Sequence, residues 1–513
     1  MRILVSSESV EVFDFVEVAV ELGVPVFDPF RTVILSGVLM TPDGNALNIS
    51  GFCDSRDGSV HRIRFMPMVE GEYSYRILLA SGEINGDYEG RFNAIDGGRK
   101  GILQTDGWFF RWSGTGEPFF WNATTGYLMA GLRDDVMFEA LERLSNLGVN
   151  RIRVALCPSR QKDGGRWHEP QVKNREDFTF FYSPWPEHQP DSLTEPQRDL
   201  TRFEIAYWQK FETLLIEARE RNIIIQVIFF VDAQEDQNYP FPRTEIGTNS
   251  DEQRYYAYAA ARLAAFSNVE WCLTNEWKLF RPDAWADIVG EFLSSQDPYH
   301  HISSVHGHGV FPFRESSWVT HALFQVWDEH GGYDWALQQR AEQAATGRII
   351  PQVNEEYGYE DHYPGPWGEG RVAPARSADN RRRLAWEMTM AGIWQTTGES
   401  AASGSGGWIN ALGDNDELLR RHSHLKNFFD AFDWTKLTPE GSRDNMTLSE
   451  PGVRYIRYLP DGGSVDMDTD GAPYRARWYD PRTGKYISAN RTPAFQSPTI
   501  GEDWVLLLER VPD

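Results

Sequence analysis

The first part of the chain alternates apolar and polar residues with a period of two. Segments 10–15, 32–39 and 61–65 show this alternation, and Gly, Asn and Asp punctuate the gaps between them. A period of two is that of a β-strand with one buried face, and the lack of a helical run indicates antiparallel strands. The pattern predicts an N-terminal β-sandwich over residues 1–95, joined to the rest by a glycine-rich linker at 96–101.

From residue 102 the period changes, and short apolar runs alternate with segments of helical spacing. Predicted strands lie at 119–123, 151–156, 223–231, 269–276, 301–306, 319–327, 348–356 and 401–408, and predicted helices at 134–147, 201–221, 251–266, 283–294, 335–345, 377–396 and 418–432. Roughly eight βα units in sequence are typical of one closed parallel sheet. The central segment is therefore predicted to be α/β, a (β/α)8 TIM barrel spanning residues 102–437.

Beyond residue 438 the pattern returns to that of strands, at 453–459, 476–480 and 504–508. This predicts a small C-terminal β-sheet domain over residues 438–513. A small β-domain with one large apolar face needs a partner surface to cover it. We therefore expect both flanking domains to pack on the barrel rather than to move freely.

The composition is that of a well-packed, acidic protein. Aromatic residues make up 13% of the chain, and 75 Asp and Glu outnumber 50 Lys and Arg, which gives a net charge of −25. Such a charge disfavours nucleic acid and anionic membranes as partners. Cys53, Cys157 and Cys272 have neither disulfide-framework nor zinc-finger spacing, and no apolar run reaches membrane-spanning length. The first residues turn acidic at once, so we expect a cytoplasmic protein, although a secreted one trimmed of its leader would look the same.

Two stretches, 271–277 and 351–358, share one arrangement: a short apolar run, then Asn, then a carboxylate. The first ends in Asn275 and Glu276, and the second ends in the pair Glu355 and Glu356. In a parallel barrel both strand ends open onto the same face. Two carboxyl groups across a sugar-sized gap serve glycoside hydrolysis, because one protonates the leaving oxygen and the other attacks the anomeric carbon or activates water. The pair predicts a glycoside hydrolase.

Each residue of the two stretches has an expected role. Glu276 is the predicted general acid/base, with its pKa raised by an aromatic wall such as Trp277. Asn275 is placed to bind the sugar hydroxyl beside the anomeric centre. Adjacent strand residues face opposite ways, so only one of Glu355 and Glu356 enters the cavity, and the other forms a salt bridge outside it. The residues alone leave open which of the two is the nucleophile, so both stay in the predicted site.

Further residues at predicted strand ends complete the expected site, and they are Arg153, His306, His308, Gln325, Trp327 and Trp408. The arginine would orient the nucleophile through a forked pair. The two histidines share a strand face, where substrate binding is favoured over metal because no third ligand is suitably spaced. The tryptophan on strand eight is a predicted sugar platform. Trp167, Trp185 and Trp367 are weaker candidates in loops over the same face.

The stretch 466–471 imitates the start of a calcium loop, but its twelfth position is Arg477 rather than Glu. Because that substitution removes the bidentate ligand, a hairpin turn is favoured. We expect neither a metal nor a cofactor.

These motifs resemble clan A of the glycoside hydrolases, which are retaining enzymes on βα barrels with Asn-Glu ending strand four and Glu ending strand seven. Residues 48–75 resemble the N-terminal β-sandwich of bacterial apiosidase-like and xylosidase-like members. Residues 478–484 and 503–506 resemble a C-terminal domain named for collagen binding. The resemblance implies double displacement with Glu276 as acid/base. It favours Glu356 as nucleophile, since related chains commonly carry Asp in place of Glu355.

The expected function is cleavage of terminal glycosidic bonds in oligosaccharides or small glycosides. Long loops at about 158–200 and 357–376 would wall off one end of the cleft and favour short substrates. The alternatives are an endo-acting glycanase with an open groove and, from another class, a non-catalytic carbohydrate-binding protein. A carbohydrate is the expected partner, and a homo-oligomer is left open.

Overall fold

The computed structural model describes residues 1–82, 84–157, 177, 183–190, 192, 195–231, 233, 238–327, 331–360, 376–400, 407–413, 415–467, 473–490 and 494–511. Within these residues the protein is mixed α/β with β-rich regions at both ends. Cys53, Cys157 and Cys272 are buried free thiols. No helix among the described residues has the length and hydropathy to cross a bilayer.

The N-terminal region consists of two facing sheets. Its elements are β1 (Arg2–Val5), β2 (Ser9–Glu11), β3 (Val16–Glu21), the single helical turn α1 (Pro29–Thr32), β4 (Ile34–Met40), β5 (Ala46–Ser50), β6 (Phe52–Cys53), β7 (Val60–Phe65), β8 (Gly71–Ser81) and β9 (Ile84–Ile95). One sheet has the order β1-β3-β7-β6 and the other β2-β9-β8-β4-β5. Phe65 of the first sheet stacks on Tyr75 of the second with ring centroids 4.8 Å apart. The strand alternation seen in the sequence thus buries one face of each sheet between them.

The central region opens with a small antiparallel sheet of β10 (Leu103–Asp106), β11 (Phe109–Trp112) and β12 (Pro118–Phe119), and then alternates strands with helices. The alternating elements are β13 (Ala123–Thr125), α2 (Asp134–Asn146), β14 (Arg151–Ala155), α3 (Ile205–Arg219), β15 (Ile224–Ile228), α4 (Ser250–Leu263), β16 (Val269–Cys272), α5 (Asp283–Gln296), β17 (Ser303–Ser304), β18 (His306–His308), β19 (Ala322–Gln325), α6 (Tyr333–Ala345), β20 (Gln352–Asn354), α7 (Ala378–Met390), β21 (Trp394–Gln395) and α8 (Glu417–Asp430).

The strands of the central region are parallel neighbours in chain order. β13 to β17 form one parallel series and β18 to β21 a second, and only Val305 separates β17 from β18. A parallel bridge between Ala123 and Thr396 connects the last strand to the first. With β17 and β18 taken as one interrupted strand, Glu276 follows the fourth strand and Glu356 the seventh, as expected.

The end of the central region differs from the sequence prediction. The helix predicted at 377–396 ends at Met390, and the last parallel strand is Trp394–Gln395. Gly392, with φ of 73°, takes the left-handed conformation that ends a helix, while Ile393 continues the apolar spacing and masks the break. Trp408 lies in a 3-10 turn, Gly407–Ile409, instead of the predicted strand at 401–408, of which 401–406 lie outside the described residues.

The C-terminal region is a six-stranded antiparallel sheet with a two-stranded one beside it. Its strands are β22 (Thr438–Glu440), β23 (Thr447–Glu450), β24 (Arg454–Leu459), β25 (Gly462–Val465), β26 (Tyr474–Asp480), β27 (Lys485–Ser488), β28 (Phe495–Ile500) and β29 (Trp504–Arg510). The large sheet has the order β22-β23-β24-β29-β26-β27, and β25 pairs with β28. In β29, Val505 and Leu507 join the main core while Leu506 and Leu508 join a separate small one. An unbroken apolar run therefore marks a strand covered on both faces.

Buried ion pairs join both β-rich regions to the central helices. Arg64 pairs with Glu212 of α3 at 2.6 Å, and Arg262 of α4 pairs with Asp54 at 2.7 Å. The sequence analysis expected the flanking regions to pack rather than to swing, and these contacts agree with that expectation.

On the C-terminal side, Arg382 of α7 pairs with Asp503 at 2.7 Å, and both side chains are almost fully buried. Trp386 stacks on Tyr458 with ring centroids 5.6 Å apart. The C-terminal sheet thus covers α7 through a charged contact and an aromatic one.

Candidate active site

The candidate site lies where the parallel strands end. Arg153 is in β14, Asn275 and Glu276 follow β16, Gln325 ends β19 and Glu356 follows β20. Parallel strands share one carboxyl edge, so residues far apart in the sequence meet there. Contacts connect Asn275, Arg153, Glu356 and Gln325, and the charge of Glu276 affects the pKa of Glu356.

Glu356 is almost entirely buried, with 5% of its surface exposed. Gln325 donates an amide N–H to its Oε1 at 3.3 Å, and Tyr127 donates its hydroxyl to Oε2 at 3.4 Å. Arg153 Nη1 lies 3.6 Å from Oε2. These are the partners expected of an ionised carboxylate held in a fixed orientation.

Burial raises the pKa of Glu356 to about 7; the charge of Arg153 opposes the rise, and the charge of Glu276 adds to it. Near neutral pH the Glu356 side chain is therefore only partly ionised, whereas a solvated glutamate would be fully ionised.

Arg153 links the two halves of the site. Its Nη2 donates to Asn275 Oδ1 at 2.7 Å, and its Nη1 donates to Tyr359 Oη at 2.9 Å. Tyr359 in turn lies 3.1 Å, oxygen to oxygen, from Tyr127. A planar guanidinium with several fixed partners holds the asparagine and the tyrosines in one geometry.

Glu276 has a left-handed backbone, with φ of 52° and ψ of 52°. A non-glycine residue in this region is strained, and such strain is concentrated at functional sites. Its Oε1 lies 3.0 Å from Nε2 of the half-exposed His308. The ring of Trp277 packs on Phe313 at 5.2 Å and donates to Asp283 at 2.9 Å, so this indole belongs to the packing behind β18.

Glu355 requires a correction, because it forms its salt bridges in the interior instead of outside the cavity, and it offers no surface to a substrate. It is fully buried, and Arg151 lies 2.7 Å and Arg153 Nε 3.1 Å from its Oε1. Its Oε2 accepts from Thr396 at 2.8 Å. Arg151 and Arg153 are two positions apart and therefore lie on the same face of β14, where both pair with Glu355.

The remaining predicted residues divide between the site and the core. His306 is fully buried, which separates it from the half-exposed His308 and corrects the prediction that it binds substrate. Trp408 is 5% exposed, as Glu356 is, and its ring stacks on that of Tyr359 at 4.8 Å, so its role as a sugar platform stays a prediction. Arg376 lies over the Trp327 ring at 4.6 Å.

Of the weaker candidates, Trp185 is a core residue packed on Tyr255, and Trp167 and Trp367 lie outside the described residues, as does most of the stretch 466–471. Among the described residues, no group of three His, Cys, Asp or Glu side chains is arranged to hold a metal ion.

Sequence reasoning missed Tyr127 and Tyr359. Tyr127 follows the end of β13, and Tyr359 follows Glu356 by three positions. Position after a strand end was the signal that identified the other site residues. It was not applied to these two because tyrosine is common in cores.

The fold is shared with solved glycoside hydrolase structures. A "putative glycoside hydrolase" from Bacteroides vulgatus matches with a TM-score of 0.79 and 21% identity, covering 98% of this chain and 100% of its own. A family 5 glycoside hydrolase from the same organism matches with a TM-score of 0.59 and 20% identity, covering 80% of this chain and 93% of its own. No curated protein sequence matches the chain. The fold class is thus that of glycoside hydrolases.

Family models match three consecutive segments. The model described as "Apiosidase-like, catalytic domain" covers residues 105–436. A domain of unknown function, DUF5060, matches residues 9–80, and the "Putative collagen-binding domain of a collagenase" matches residues 441–509. Because the first match spans more than half of the chain, the protein belongs to the apiosidase-like family. This confirms the resemblance to glycoside hydrolases with a C-terminal β-domain.

Proposed function

We propose that the protein is a retaining glycoside hydrolase that cleaves terminal glycosidic bonds of oligosaccharides or small glycosides. The central region would be a (β/α)8 barrel over residues 102–437, between a β-sandwich at 1–95 and a β-sheet domain at 438–513. The parallel strand order and the bridge between Ala123 and Thr396 support this architecture.

The observation that carries the proposal is the asymmetry of the carboxyl pair. Glu356 is buried among donors, as a nucleophile requires, whereas Glu276 is partly exposed and contacts the ionisable His308. In the first step Glu276 protonates the glycosidic oxygen while Glu356 forms a bond to the anomeric carbon. In the second step Glu276 takes a proton from water, which displaces Glu356 from the sugar.

The contacts of Glu356 favour the charged form that a nucleophile needs. Arg153, Tyr127 and Gln325 all present N–H or O–H donors, which stabilise the ionised carboxylate and oppose the effect of its burial. The first step also requires Glu276 to carry the proton that the leaving group takes. Asn275, fixed by Arg153 at 2.7 Å, is available to bind a sugar hydroxyl beside the reacting carbon.

Two substitutions test the assignment of roles. Glu276→Gln and Glu356→Gln should each lower kcat/KM by at least about 10³-fold, since each removes a group that acts in both steps. Activity on a panel of nitrophenyl glycosides identifies the sugar first, and circular dichroism verifies folding. Near-normal activity of Glu356→Gln, with Glu355→Gln folded and inactive, would overturn the choice of nucleophile.

Covalent labelling tests the same point without mutation. A 2-deoxy-2-fluoro glycoside of the preferred sugar should accumulate as a glycosyl ester, because fluorine slows its hydrolysis. Peptide mapping by mass spectrometry is expected to place the label on Glu356. A label on Glu355 or Glu276 would reassign the nucleophile.

The stereochemical course is tested by NMR of the first product formed. Retention requires the same anomer as the substrate, and the carboxyl groups of Glu276 and Glu356 should then lie about 5–5.5 Å apart in an experimental structure. The opposite anomer, with a separation nearer about 7–9 Å, would indicate inversion and exclude a covalent intermediate.

Product sizes separate the proposed exo action from an endo-acting glycanase. With an end-labelled oligosaccharide, exo action releases a fixed terminal unit from the start of the reaction. A spread of intermediate lengths would favour an open groove. Saturable binding of the oligosaccharide without any cleavage would favour a carbohydrate-binding protein.

A further inference from the structure

A cavity of about 150 Å³ lies between the N-terminal sheets and helix α4, apart from the candidate active site. Its walls are mainly apolar and include Phe30, Leu35, Phe52 and Tyr258. His61 of β7 and Arg254 of α4 also line it. The cavity therefore combines an apolar body with a small number of polar groups, which is the usual make-up of a small-molecule site.

Two side chains that line this cavity have buried nitrogen atoms without a hydrogen-bond partner. His61 is 2% exposed, and neither of its ring nitrogens has a hydrogen-bond partner among the described residues. The Nε of Arg254 is also buried without a hydrogen-bond partner, although its Nη2 donates to Asp251 at 2.7 Å. Buried polar groups are normally satisfied, so these atoms indicate that something else occupies the cavity.

Water alone accounts for only part of the space. The volume of about 150 Å³ equals that of roughly five molecules of liquid water, and each buried water needs two to four polar partners. Two imidazole nitrogens and one guanidinium N–H suffice for a single water. The rest of the cavity is walled by carbon atoms and suits an apolar group.

We propose that this cavity binds a small apolar molecule that bears one hydroxyl group, such as a phenol or an alcohol of similar size. A neutral imidazole offers one donor and one acceptor nitrogen, and a hydroxyl group is both donor and acceptor. The hydroxyl binds His61, and its oxygen can also accept from Arg254. The hydrocarbon body packs on Phe30, Leu35 and Phe52.

The state of His61 agrees with this ligand class. Burial lowers the pKa of His61 to about 4, so the ring is neutral at pH 7. A carboxylate fits less well, because it leaves the acceptor nitrogen unpaired and competes with Asp251 for Arg254. A ligand with no polar group leaves both side chains unpaired.

Titration of the full-length protein with phenol, and with toluene as the apolar match, tests the proposal by calorimetry. Phenol should bind at least about tenfold more tightly than toluene. His61→Leu keeps the bulk of the side chain and should weaken phenol at least about tenfold while leaving toluene within about threefold. Ala261→Leu places a larger side chain in the cavity wall and should abolish binding of both.

A crystal structure of the phenol complex, with circular dichroism of each variant, completes the test. Density for phenol against His61 supports the proposal. Equal affinity for phenol and toluene, retention of phenol binding in the folded His61→Leu variant, or ordered water alone beside His61 would overturn it. Because no step depends on glycoside cleavage, the result is independent of the proposed enzymatic function.

Discussion

The Glu356→Gln substitution should stabilise the folded protein at alkaline pH while it removes activity. The pKa of Glu356 is raised from 4.5 to about 7, mainly because the carboxyl group is buried. A carboxyl group whose pKa is higher in the folded state than in the unfolded chain weakens the fold as it ionises. That loss of stability begins above pH 4.5 and is fully developed above pH 7.

The size of the effect follows from the difference between the pKa of Glu356 in the folded protein, about 7, and its ordinary value of 4.5. Since one pKa unit corresponds to 1.36 kcal/mol, this difference amounts to about 3 kcal/mol. At pH 5 the wild-type protein carries less than about 1 kcal/mol of this penalty, and at pH 8 it carries nearly all of it. Glutamine does not titrate, so the stability of Glu356→Gln relative to wild type should rise by about 2–3 kcal/mol between pH 5 and pH 8.

Thermal unfolding of both proteins at the two pH values measures this difference. For a chain of 513 residues, 1 kcal/mol corresponds to about 1–2 °C in Tm, so the relative Tm should increase by about 3–5 °C. Glu355→Gln is the matched control. It removes the buried carboxylate that pairs with Arg151 at 2.7 Å and with Arg153 at 3.1 Å, and should cost about 3–5 kcal/mol at both pH values. An equal Tm difference between Glu356→Gln and wild type at pH 5 and pH 8 would refute the reasoning.

Three further outcomes are expected. The kcat/KM of the wild type should rise as pH increases from 5 through about 7, because Glu356 must lose its proton to act as the nucleophile; an unchanged rate between pH 5 and pH 8 would contradict this. Arg153→Lys should lower kcat about 10²-fold with a smaller change in KM, since lysine cannot hold Asn275 and Tyr359 together; steady-state kinetics measures the split. Asp503→Ala should destabilise the protein by about 3–5 kcal/mol in denaturant titrations without changing kcat, because it breaks a buried pair distant from the site.

Sequence patterns located the strands and the strand-end residues well, since both depend on local periodicity. The predicted parallel strands 269–276 and 348–356 were enough to predict that Glu276 and Glu356 lie at the same edge of the sheet. The last strand was misplaced because a single Gly392 ends helix α7 while the apolar spacing continues through Ile393. Hydrophobic periodicity in the sequence does not by itself distinguish the last turn of a helix from a buried two-residue strand.

The orientation of side chains was harder to predict than their position along the chain. Glu355 and His306 have nearly the same sequence context as Glu356 and His308, yet both are fully buried. The placement of Glu355 depends on contacts with residues of another strand, Arg151 and Arg153. Such contacts leave no signal in the segment that contains the glutamate.

The charges around β14 explain why Glu356, the proposed nucleophile, has a raised pKa. Arg151 is paired with Glu270 at 2.6 Å and with Glu355 at 2.7 Å, and Arg153 also contacts Glu355 at 3.1 Å. Two guanidinium groups are therefore already balanced by two carboxylates before Glu356 is considered. Arg153 reaches Glu356 only at 3.6 Å, so this third carboxyl group has incomplete compensation for its burial. These ion pairs thus fix the position of Arg153. Because the positive charge of Arg153 is already shared with Glu355, the excess negative charge lies at Glu356, where the chemistry is proposed.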